Sequence, residues 1–255
     1  MCLILVAFKA VPDYPLLIAA NRDEFHARPA QKADWWPDDA DILGGRDLQA
    51  GGTWLAVHRG GKFAAVTNFR DADASKRSKR SRGHLVSEFL QGTLAPNEYI
   101  QTLKGDDFAG FNLLLSDSRT LAYMSNRSAT SGELLPGVYG LSNATLDTPW
   151  EKVERSRSRL QELIDGGNVN ESSLLRVLAD RQKGPVDEVH SSRLPFATAH
   201  AITAPFIVLP EYGTRCSTIV LADQHAKWLL TERRFAADGS KSGESRYSFH
   251  SVDRQ

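Results

Sequence analysis

The sequence contains only two cysteines, Cys2 and Cys216, among its 255 residues. Two cysteines cannot form the disulfide framework of a small secreted domain, so the sequence predicts a cytoplasmic protein in a reducing compartment. No CxxC pair occurs, and none of the seven histidines stands at the spacing of a zinc helix such as HExxH. We therefore expect no metal site.

An excess of charge of either sign is absent as well. The chain has 31 basic and 31 acidic residues, which gives a formal net charge of zero. Such a chain has no global field that would concentrate nucleic acid or an anionic membrane around it. We therefore expect no nucleic-acid partner.

Long apolar runs are also missing. Residues 3–8 are apolar, but Lys9, Pro12 and Asp13 end this run far below membrane-spanning length, and it has no basic segment before it. The sequence therefore predicts no stable membrane insertion.

The composition is that of a globular protein, with 41% hydrophobic and 24% charged residues. No internal repeat, linker or low-complexity boundary divides the chain, so we predict one domain over residues 1–255. A homodimer is compatible with the sequence, which does not encode the oligomeric state.

Several pairs of apolar runs predict β-hairpins. Residues 2–9 and 15–22 flank a turn at Pro12 and Asp13, and residues 53–70 contain a Gly60-Gly61 turn. A further strand pair surrounds residues 118–119, three antiparallel strands are expected after residue 215, and residues 26–53 are expected to be irregular. Strands thus dominate both ends of the chain.

Helical spacing appears between these hairpins. It occurs at residues 83–91, 96–104, 149–165 and 171–182, and Gly166-Gly167 provides a stop signal after the third of these segments. Hairpins at both ends with helices between them predict the α+β class. The specific expectation is a four-layer αββα sandwich of two antiparallel sheets.

Cys2 admits two interpretations. Removal of the initiator methionine would leave a thiol and a free α-amine on one residue, with reference pKa values of about 8.5 and about 8. The amine could then take the proton from the thiol, as in N-terminal nucleophiles. Alternatively, Cys2 is a small buried side chain at the start of a strand. The first eight residues alone leave both readings open.

Polar side chains follow the second strand of the first hairpin. Asn21, Arg22, Asp23 and Glu24 form this group, where polar residues either end a sheet or face a cleft. A turn at residues 12–13 places Asp23 opposite Cys2 at the open end of the hairpin. The Asp23 carboxylate is therefore a candidate to orient the Cys2 amine.

Two asparagines and an arginine stand at other strand ends. Asn68 and Asn143 each follow a predicted strand, and their amide groups are candidates to stabilise an oxyanion. Arg215 lies at the entry to a strand. Each of these residues alone is usually a turn residue or a cap.

A basic segment and a glycine-rich segment require separate consideration. Lys76, Arg77, Lys79, Arg80 and Arg82 lie within seven positions, but no aromatic side chain accompanies them, so a solvated loop is favoured over a phosphate site. The sequence GGRDLQAGG matches neither nucleotide-binding glycine motif. It instead predicts a tight loop that brings backbone close to a pocket.

Six blocks in order together resemble one family. The blocks are MCLILVAF, ANRDEF, GGRDLQAGGTWLAV, VTNFRD, GLSNATLDTPWEKV and GTRCSTIVL. They are similar to the NRDE family, also known as the transport and Golgi organization protein 2 family, over residues 1 to about 230. The resemblance implies an N-terminal nucleophile hydrolase fold, with a more distant likeness to bile-salt hydrolases and penicillin V acylases.

This resemblance also implies residue roles. Cys2 would be the nucleophile for an amide or thioester bond of a small acylated substrate, and Asn143 and Asn68 would be oxyanion donors. Arg215 would position Asp23 or a substrate carboxylate. Arg22 and Asp23 are adjacent here but separated in the acylases, so one of them is expected to face the pocket, and we favour Asp23. Substrate contacts are expected from Trp54, Arg46, Asn21 and Glu24.

A second function remains open, because eukaryotic members of this family have been linked to haem trafficking and acyl-CoA or lipid handling. The same cleft would then bind its ligand without turnover, and haem would be cargo rather than a resident cofactor. Cys2, His26 or His58 would be a candidate haem ligand, although neither cysteine is followed by proline. The basic segment suits coenzyme A phosphates better than haem.

Overall fold

A computed structural model describes residues 2–70, 80–189 and 194–252 of the chain. Its strands, numbered in chain order, are β1 Cys2–Val11, β2 Tyr14–Phe25, β3 Ala30–Trp36, β4 Asp39–Asp47, β5 Leu55–His58, β6 Lys62–Asn68, β7 Phe111–Ser116, β8 Leu121–Ser125, β9 Ser131–Glu133, β10 Gly137–Leu141, β11 Tyr212–Ala222, β12 Lys227–Phe235 and β13 Lys241–His250. The helices are α1 Gly83–Gln91, α2 Pro96–Thr102, α3 Glu151–Asp165, α4 Glu171–Leu178 and α5 Phe196–Ala201, with short 3₁₀ turns at Gly105–Asp107 and Val186–Glu188.

The strands form two antiparallel sheets. Sheet I has six strands in the order β10-β1-β2-β11-β12-β13, and sheet II has seven in the order β3-β4-β5-β6-β7-β8-β9. Sheet II follows the chain order, whereas sheet I joins the first hairpin to the last three strands. The two ends of the chain therefore meet in one sheet, and β2 and β11 become neighbours.

Strand periodicity explains how the layers are built. In β1, Ile4 and Val6 point into the core between the sheets, while Leu3 and Leu5 pack against α3 and α4. In sheet II, alternate residues likewise face either the core or α1, where Phe89 is buried. Both faces of each sheet are covered, so the inner strands are continuous apolar runs rather than alternating ones. The four-layer αββα sandwich is confirmed.

The structure corrects the expectation for residues 26–53, which form β3 and β4 rather than irregular chain. β3 is an edge strand in which Gln31, Lys32 and Asp34 interrupt the apolar residues, and only Ala33 and Trp36 are buried. Edge strands tolerate charged side chains because one side of the strand is unpaired. Hydrophobic patterning therefore gives little signal there.

No helix within the described ranges combines the length and the apolar character that crossing a membrane requires.

Candidate functional site

The first hairpin brings Cys2 to the end of β2, with a register one residue away from the expected one. Cys2 pairs with Arg22 in the ladder, and Leu3 pairs with Asn21. Directly opposite side chains lie on the same face of a sheet, so Arg22 rather than Asp23 shares the face of Cys2. Asp23 is the next residue along and remains beside Cys2 where the ladder ends.

Cys2 opens onto a cavity of about 400 Å³ at this edge of the sandwich. Both Arg22 and Asp23 line it, whereas we expected only one of the two to face the pocket. The other lining residues come from the end of β2, the β4–β5 loop, β6 and the start of α1: Glu24, Phe25, Arg28, Asp47, Ala50, Thr53, Trp54, Val66, Asn68, Arg80, Ser81, Arg82 and Gly83.

The backbone of Cys2 is held by the segment that follows β10. The Cys2 N–H donates to Asn143 Oδ1 at 2.9 Å, and Ser142 Oγ donates to the Cys2 carbonyl at 2.6 Å. Asn143 Nδ2 in turn donates to the Asn68 carbonyl at 2.7 Å. Asn143 therefore connects the nucleophile candidate in sheet I to the end of β6 in sheet II.

Burial is the main influence on the Cys2 thiol. It raises the pKa of Cys2, and the neighbouring Asp23 carboxylate acts in the same direction, while Arg22 opposes them. The thiol is therefore predominantly protonated at neutral pH, and its use as a nucleophile requires a base.

Asp23 is a buried carboxyl group, only 4% exposed. Thr214 Oγ1 donates to its Oδ1 at 2.7 Å, and the Ile207 N–H donates to Thr214 Oγ1 at 2.9 Å. Burial raises the pKa of Asp23, and the positive charge of the buried Lys152 on α3 works against this rise. The aspartate is thus held rigidly by β11 and bordered by a lysine.

This raised pKa predicts a pH dependence of stability. The native state binds the Asp23 proton more tightly than the unfolded chain, so Asp23 stabilises the fold below its unfolded pKa of about 3.9. That stabilisation is lost as the pH rises through the native pKa. Relative to wild type, Asp23→Asn should therefore gain stability between pH 3.5 and 7, by about 1.4 kcal/mol per unit of pKa difference. Urea unfolding across this range measures it.

The exposed turn residue Asp13 provides the control for this experiment. Asp13→Asn changes the same chemical group where it is exposed to solvent. A difference between Asp23→Asn and wild type that does not change with pH would contradict the raised pKa of Asp23.

Arg22 stacks on Trp54. The guanidinium carbon lies 4.1 Å from the ring centroid, and the arginine is only 7% exposed. Among the described residues, its guanidinium forms no hydrogen bond and no ion pair. A cation over an indole face is stabilised by the ring quadrupole, and Trp54 is thereby placed at the cavity wall, where the sequence predicted a substrate contact.

Arg215 lies away from the Cys2 cavity. Its Nη1 donates to the carbonyls of Phe25 and Arg28 at 2.8 and 3.2 Å, which fixes the chain after β2. The group that contacts the Asp23 carboxylate comes from the preceding residue, Thr214. The irregularity between Thr214 and Cys216 in the β2–β11 pairing is the physical reason, because a bulge re-aims the side chain of its extra residue.

Asn21 has a structural role rather than the expected substrate contact. It is 1% exposed, and its Nδ2 donates to the carbonyls of Leu178 and Pro205 at 2.8 and 2.9 Å. Its Oδ1 accepts from Ser217 Oγ at 2.6 Å. Asn21 thus connects the end of α4 and the segment before β11 to sheet I.

We expect Asn21→Ala to destabilise the protein by about 2 kcal/mol, because it leaves buried carbonyls and a hydroxyl without this partner. Chemical denaturation measures the change. The exposed Asn168 supplies the control, and Asn168→Ala should stay within about 0.5 kcal/mol of wild type. Equal stabilities of the two variants would argue against the structural role.

Of the two remaining predicted substrate contacts, Glu24 lies at the Cys2 cavity and Arg46 does not. Glu24 lines the cavity, where its Oε2 lies 3.8 Å from Arg28 Nε. Arg46 pairs instead with both oxygens of Asp38 and stacks over the Trp36 ring at 4.1 Å. It is not among the described residues that line the Cys2 cavity.

Sequence reasoning missed several cavity residues that tertiary contacts bring in. Arg28 pairs with Asp47 at 2.7 Å, and Arg82 Nη1 donates to the Gly110 carbonyl at 3.0 Å. Arg80 and Arg82 belong to the basic segment that was interpreted as a solvated loop, but both line the cavity. Their positions in a run of basic residues were the only signal in the sequence that could have indicated a place at the cavity. Residues 76–79 of that segment lie outside the described residues.

The glycine-rich loop approaches the cavity as predicted. Gly52 has a φ of +70°, and a side chain there would meet the Gly83 carbonyl at 2.5 Å. The Thr53 N–H donates to the same carbonyl at 3.3 Å. This close approach packs the β4–β5 loop against the start of α1.

The two histidines considered as haem ligands are engaged elsewhere. His26 Nε2 lies 3.1 Å from the Leu209 carbonyl, and His58 Nδ1 accepts from the Gly60 N–H at 2.8 Å. His58 also forms a cluster with Asp39 and Asp41, whose candidate ligand atoms lie within 4.8 Å of one another. Neither histidine lines the Cys2 cavity as described.

Comparison with protein families gives the assignment. The family model described as Transport and Golgi organisation 2 matches residues 1–237. The chain belongs to this family. The Transport and Golgi organization protein 2 homolog of Homo sapiens is 34% identical over 256 residues, covering 91% of this chain and 92% of that protein. Transport and Golgi organization protein 2 of Drosophila melanogaster is 27% identical over 262 residues, covering 91% of each.

Solved structures show the fold of this family member. A mutant of the conjugated bile acid hydrolase from Clostridium perfringens aligns with a TM-score of 0.51 at 10% identity, covering 99% of this chain and 98% of that one. The Caenorhabditis elegans ortholog of N-acylethanolamine-hydrolyzing acid amidase aligns with a TM-score of 0.50 at 12% identity, covering 86% and 92%. The chain thus has the N-terminal nucleophile hydrolase fold.

Proposed function

We propose that this family member hydrolyses an amide or thioester bond of a small acylated substrate, with Cys2 as an N-terminal nucleophile. The observation that carries the proposal is the position of Cys2. Its thiol opens onto the cavity beside buried Asp23, and its backbone nitrogen lies 2.9 Å from Asn143 Oδ1. No histidine lines the cavity as described, so the α-amine released by removal of Met1 is the natural base.

The proposed reaction begins with proton transfer from the Cys2 thiol to its own α-amine. The sulfur attacks the carbonyl carbon, and the carbonyl oxygen becomes an oxyanion. The ammonium then protonates the leaving amine or thiol as the bond to carbon breaks, which leaves a thioester on Cys2. Water, deprotonated by the regenerated amine, attacks that thioester and releases the acid and free Cys2.

The surrounding residues have distinct proposed roles. Asn143 Oδ1 orients the amine, since it already accepts from this nitrogen in the full chain. The second Nδ2 hydrogen of Asn143 and the Asn68 side chain are the oxyanion donors, each contributing about 3 kcal/mol by analogy with other such donors. Asp23 stabilises the ammonium form of the amine, and Arg22 lies across from Cys2 to contact the substrate.

The decisive experiment is an intact mass measurement of the untagged protein before and after brief exposure to iodoacetamide, with Cys216→Ala as background. Loss of Met1 and rapid single labelling at Cys2 are expected, followed by turnover in an amide and thioester screen that Cys2→Ala abolishes. Retention of Met1, or a Cys2 no more reactive than a free thiol, would contradict the hydrolase.

The competing carrier function gives a different result in the same assays. A haem or acyl-CoA carrier would show a Soret shift or acyl-CoA binding that survives Cys2→Ala, without turnover. For such a carrier, Arg28, Arg80 and Arg82 at the cavity favour a ligand with several phosphate groups, such as acyl-CoA, over haem with its two propionates.

A further inference from the structure

A second pocket lies behind the Arg22–Trp54 pair. Its volume is about 120 Å³, and Arg22 and Trp54 line both this pocket and the Cys2 cavity. The stacked pair therefore forms a shared wall between the two spaces. The charged side chains that line the second pocket are Arg22, Lys32, Arg215, Glu232 and Arg234.

The charges around this pocket do not balance. Lys32 Nζ pairs with Asp34 at 3.5 Å, which leaves three guanidinium groups and one carboxylate, and that carboxylate is already engaged. Glu232 is 2% exposed, and its Oε1 accepts from the Ala33 N–H at 2.9 Å and from Arg234 Nη1 at 3.4 Å. The lining thus retains an excess of positive charge that an anion would neutralise.

Two of the cations are forced close together by the sheet. Arg22 lies opposite Cys216 in the β2–β11 ladder, and Arg215 is the extra residue in the irregularity beside that pair. Burial lowers the pKa of Arg215, and the positive charge of Arg22 acts in the same direction. Arg22 is 93% buried and has no hydrogen-bonding partner among the described residues, although a guanidinium offers five donors.

We propose that this second pocket binds an oxyanion, a carboxylate or a phosphate, between Arg22, Arg215 and Arg234. Planar guanidinium groups match both oxyanions through paired N–H donors, and the space holds such a group with several waters. The anion is either the remote charged end of a substrate whose reactive carbonyl lies at Cys2, or a separate small ion. Binding itself does not require the hydrolase, whereas an effect on Cys2 rests on the proposed function.

The test is a calorimetric titration of the full-length protein with inorganic phosphate at low ionic strength. Arg234 lines the second pocket and not the Cys2 cavity, so Arg234→Gln should weaken phosphate binding about tenfold, the usual worth of one charge-assisted hydrogen bond. Arg234→Lys keeps the charge and should recover most of the affinity. The exposed Arg119 gives the control variant Arg119→Gln, which should bind as wild type does.

Arg82→Gln distinguishes the two cavities, because Arg82 lines the Cys2 cavity and does not line the second pocket. Unchanged phosphate binding in Arg234→Gln would overturn the proposal. Loss of binding in Arg82→Gln alone would also overturn it and would place the phosphate in the Cys2 cavity. Two further variants keep the test valid if Arg234→Gln folds poorly. Arg234→Lys retains the positive charge, and Lys32→Gln removes a half-exposed lysine from the same pocket.

The source of the oxyanion is resolved by competition. An acyl substrate with a terminal carboxylate should displace phosphate if the pocket serves the substrate, and should bind together with phosphate if the pocket takes a separate ion. Iodoacetamide labelling of Cys2 gives an independent readout, since phosphate should slow it by drawing Arg22 away from the thiol. An unreactive Cys2 with intact phosphate binding would reject the hydrolase and retain the anion site.

Discussion

On the proposed mechanism, a chain that keeps residues in front of Cys2 is expected to lose about 10²–10⁴-fold in hydrolytic turnover, the usual contribution of a general acid–base group. The physical reason lies in the Cys2 nitrogen, which donates to Asn143 Oδ1 at 2.9 Å. In an amine this nitrogen keeps a lone pair that accepts the thiol proton. In a peptide bond the lone pair is delocalised into the carbonyl, and the nitrogen is not a base.

The measurement compares protein processed to Cys2 with protein carrying an uncleaved N-terminal extension, using the best amide or thioester from the substrate screen. A C-terminal extension of the same length is the matched control and should leave turnover unchanged. Mass spectrometry verifies the N-terminus of each preparation. Equal turnover with and without the N-terminal extension would remove the α-amine from the mechanism, even if Cys2 remained essential.

The core between the sheets gives the largest expected effect on stability. Trp228 on β12 is 1% exposed and stacks on Phe249 of β13, with ring centroids 6.2 Å apart and an interplanar angle of 14°. Trp228→Ala removes this packing and leaves a cavity between two sheets that cannot collapse fully. We expect a loss of about 3–5 kcal/mol in the free energy of unfolding, or about 10 °C in Tm for a chain of this size.

Urea unfolding and a thermal scan measure this effect. Trp228→Phe keeps an aromatic ring and should recover more than half of the loss. Leu135 is 77% exposed, so Leu135→Ala should change the free energy of unfolding by less than about 0.5 kcal/mol. A Trp228→Ala protein as stable as the Leu135→Ala protein would show that the two sheets do not depend on this contact.

Local signals in the sequence accounted for most elements of the fold. The turn at residues 12–13 and the Gly60-Gly61 turn separated apolar runs that form hairpins, and the 3.6-residue spacing marked α1 to α4. The elements that were missed, β3, β4 and β9, lie at or beside the edges of sheet II, where the strands are short or interrupted by polar residues. Their pairing depends on neighbours distant in the sequence, so their own residues gave little indication of it.

The candidate site was only partly readable from the sequence. Cys2, Asp23, Asn68 and Trp54 line one cavity as the family blocks suggested, and Asn143 holds the Cys2 nitrogen from outside it. A register difference of one residue put Arg22 rather than Asp23 opposite Cys2. Such a difference exchanges the two faces of a strand, and turn residues alone do not specify it.

The sequence by itself determined the family, the fold class and the position of Cys2 at the start of the first strand, because these depend on residue order and local periodicity. Only the tertiary structure decided that Asn21 is structural, that Arg215 faces a second pocket, and that Arg28 and Arg82 border Cys2. The physical reason is that a cavity is made where separate strands and loops end together. Which side chains meet there depends on register, bulges and loop packing between segments far apart in the chain.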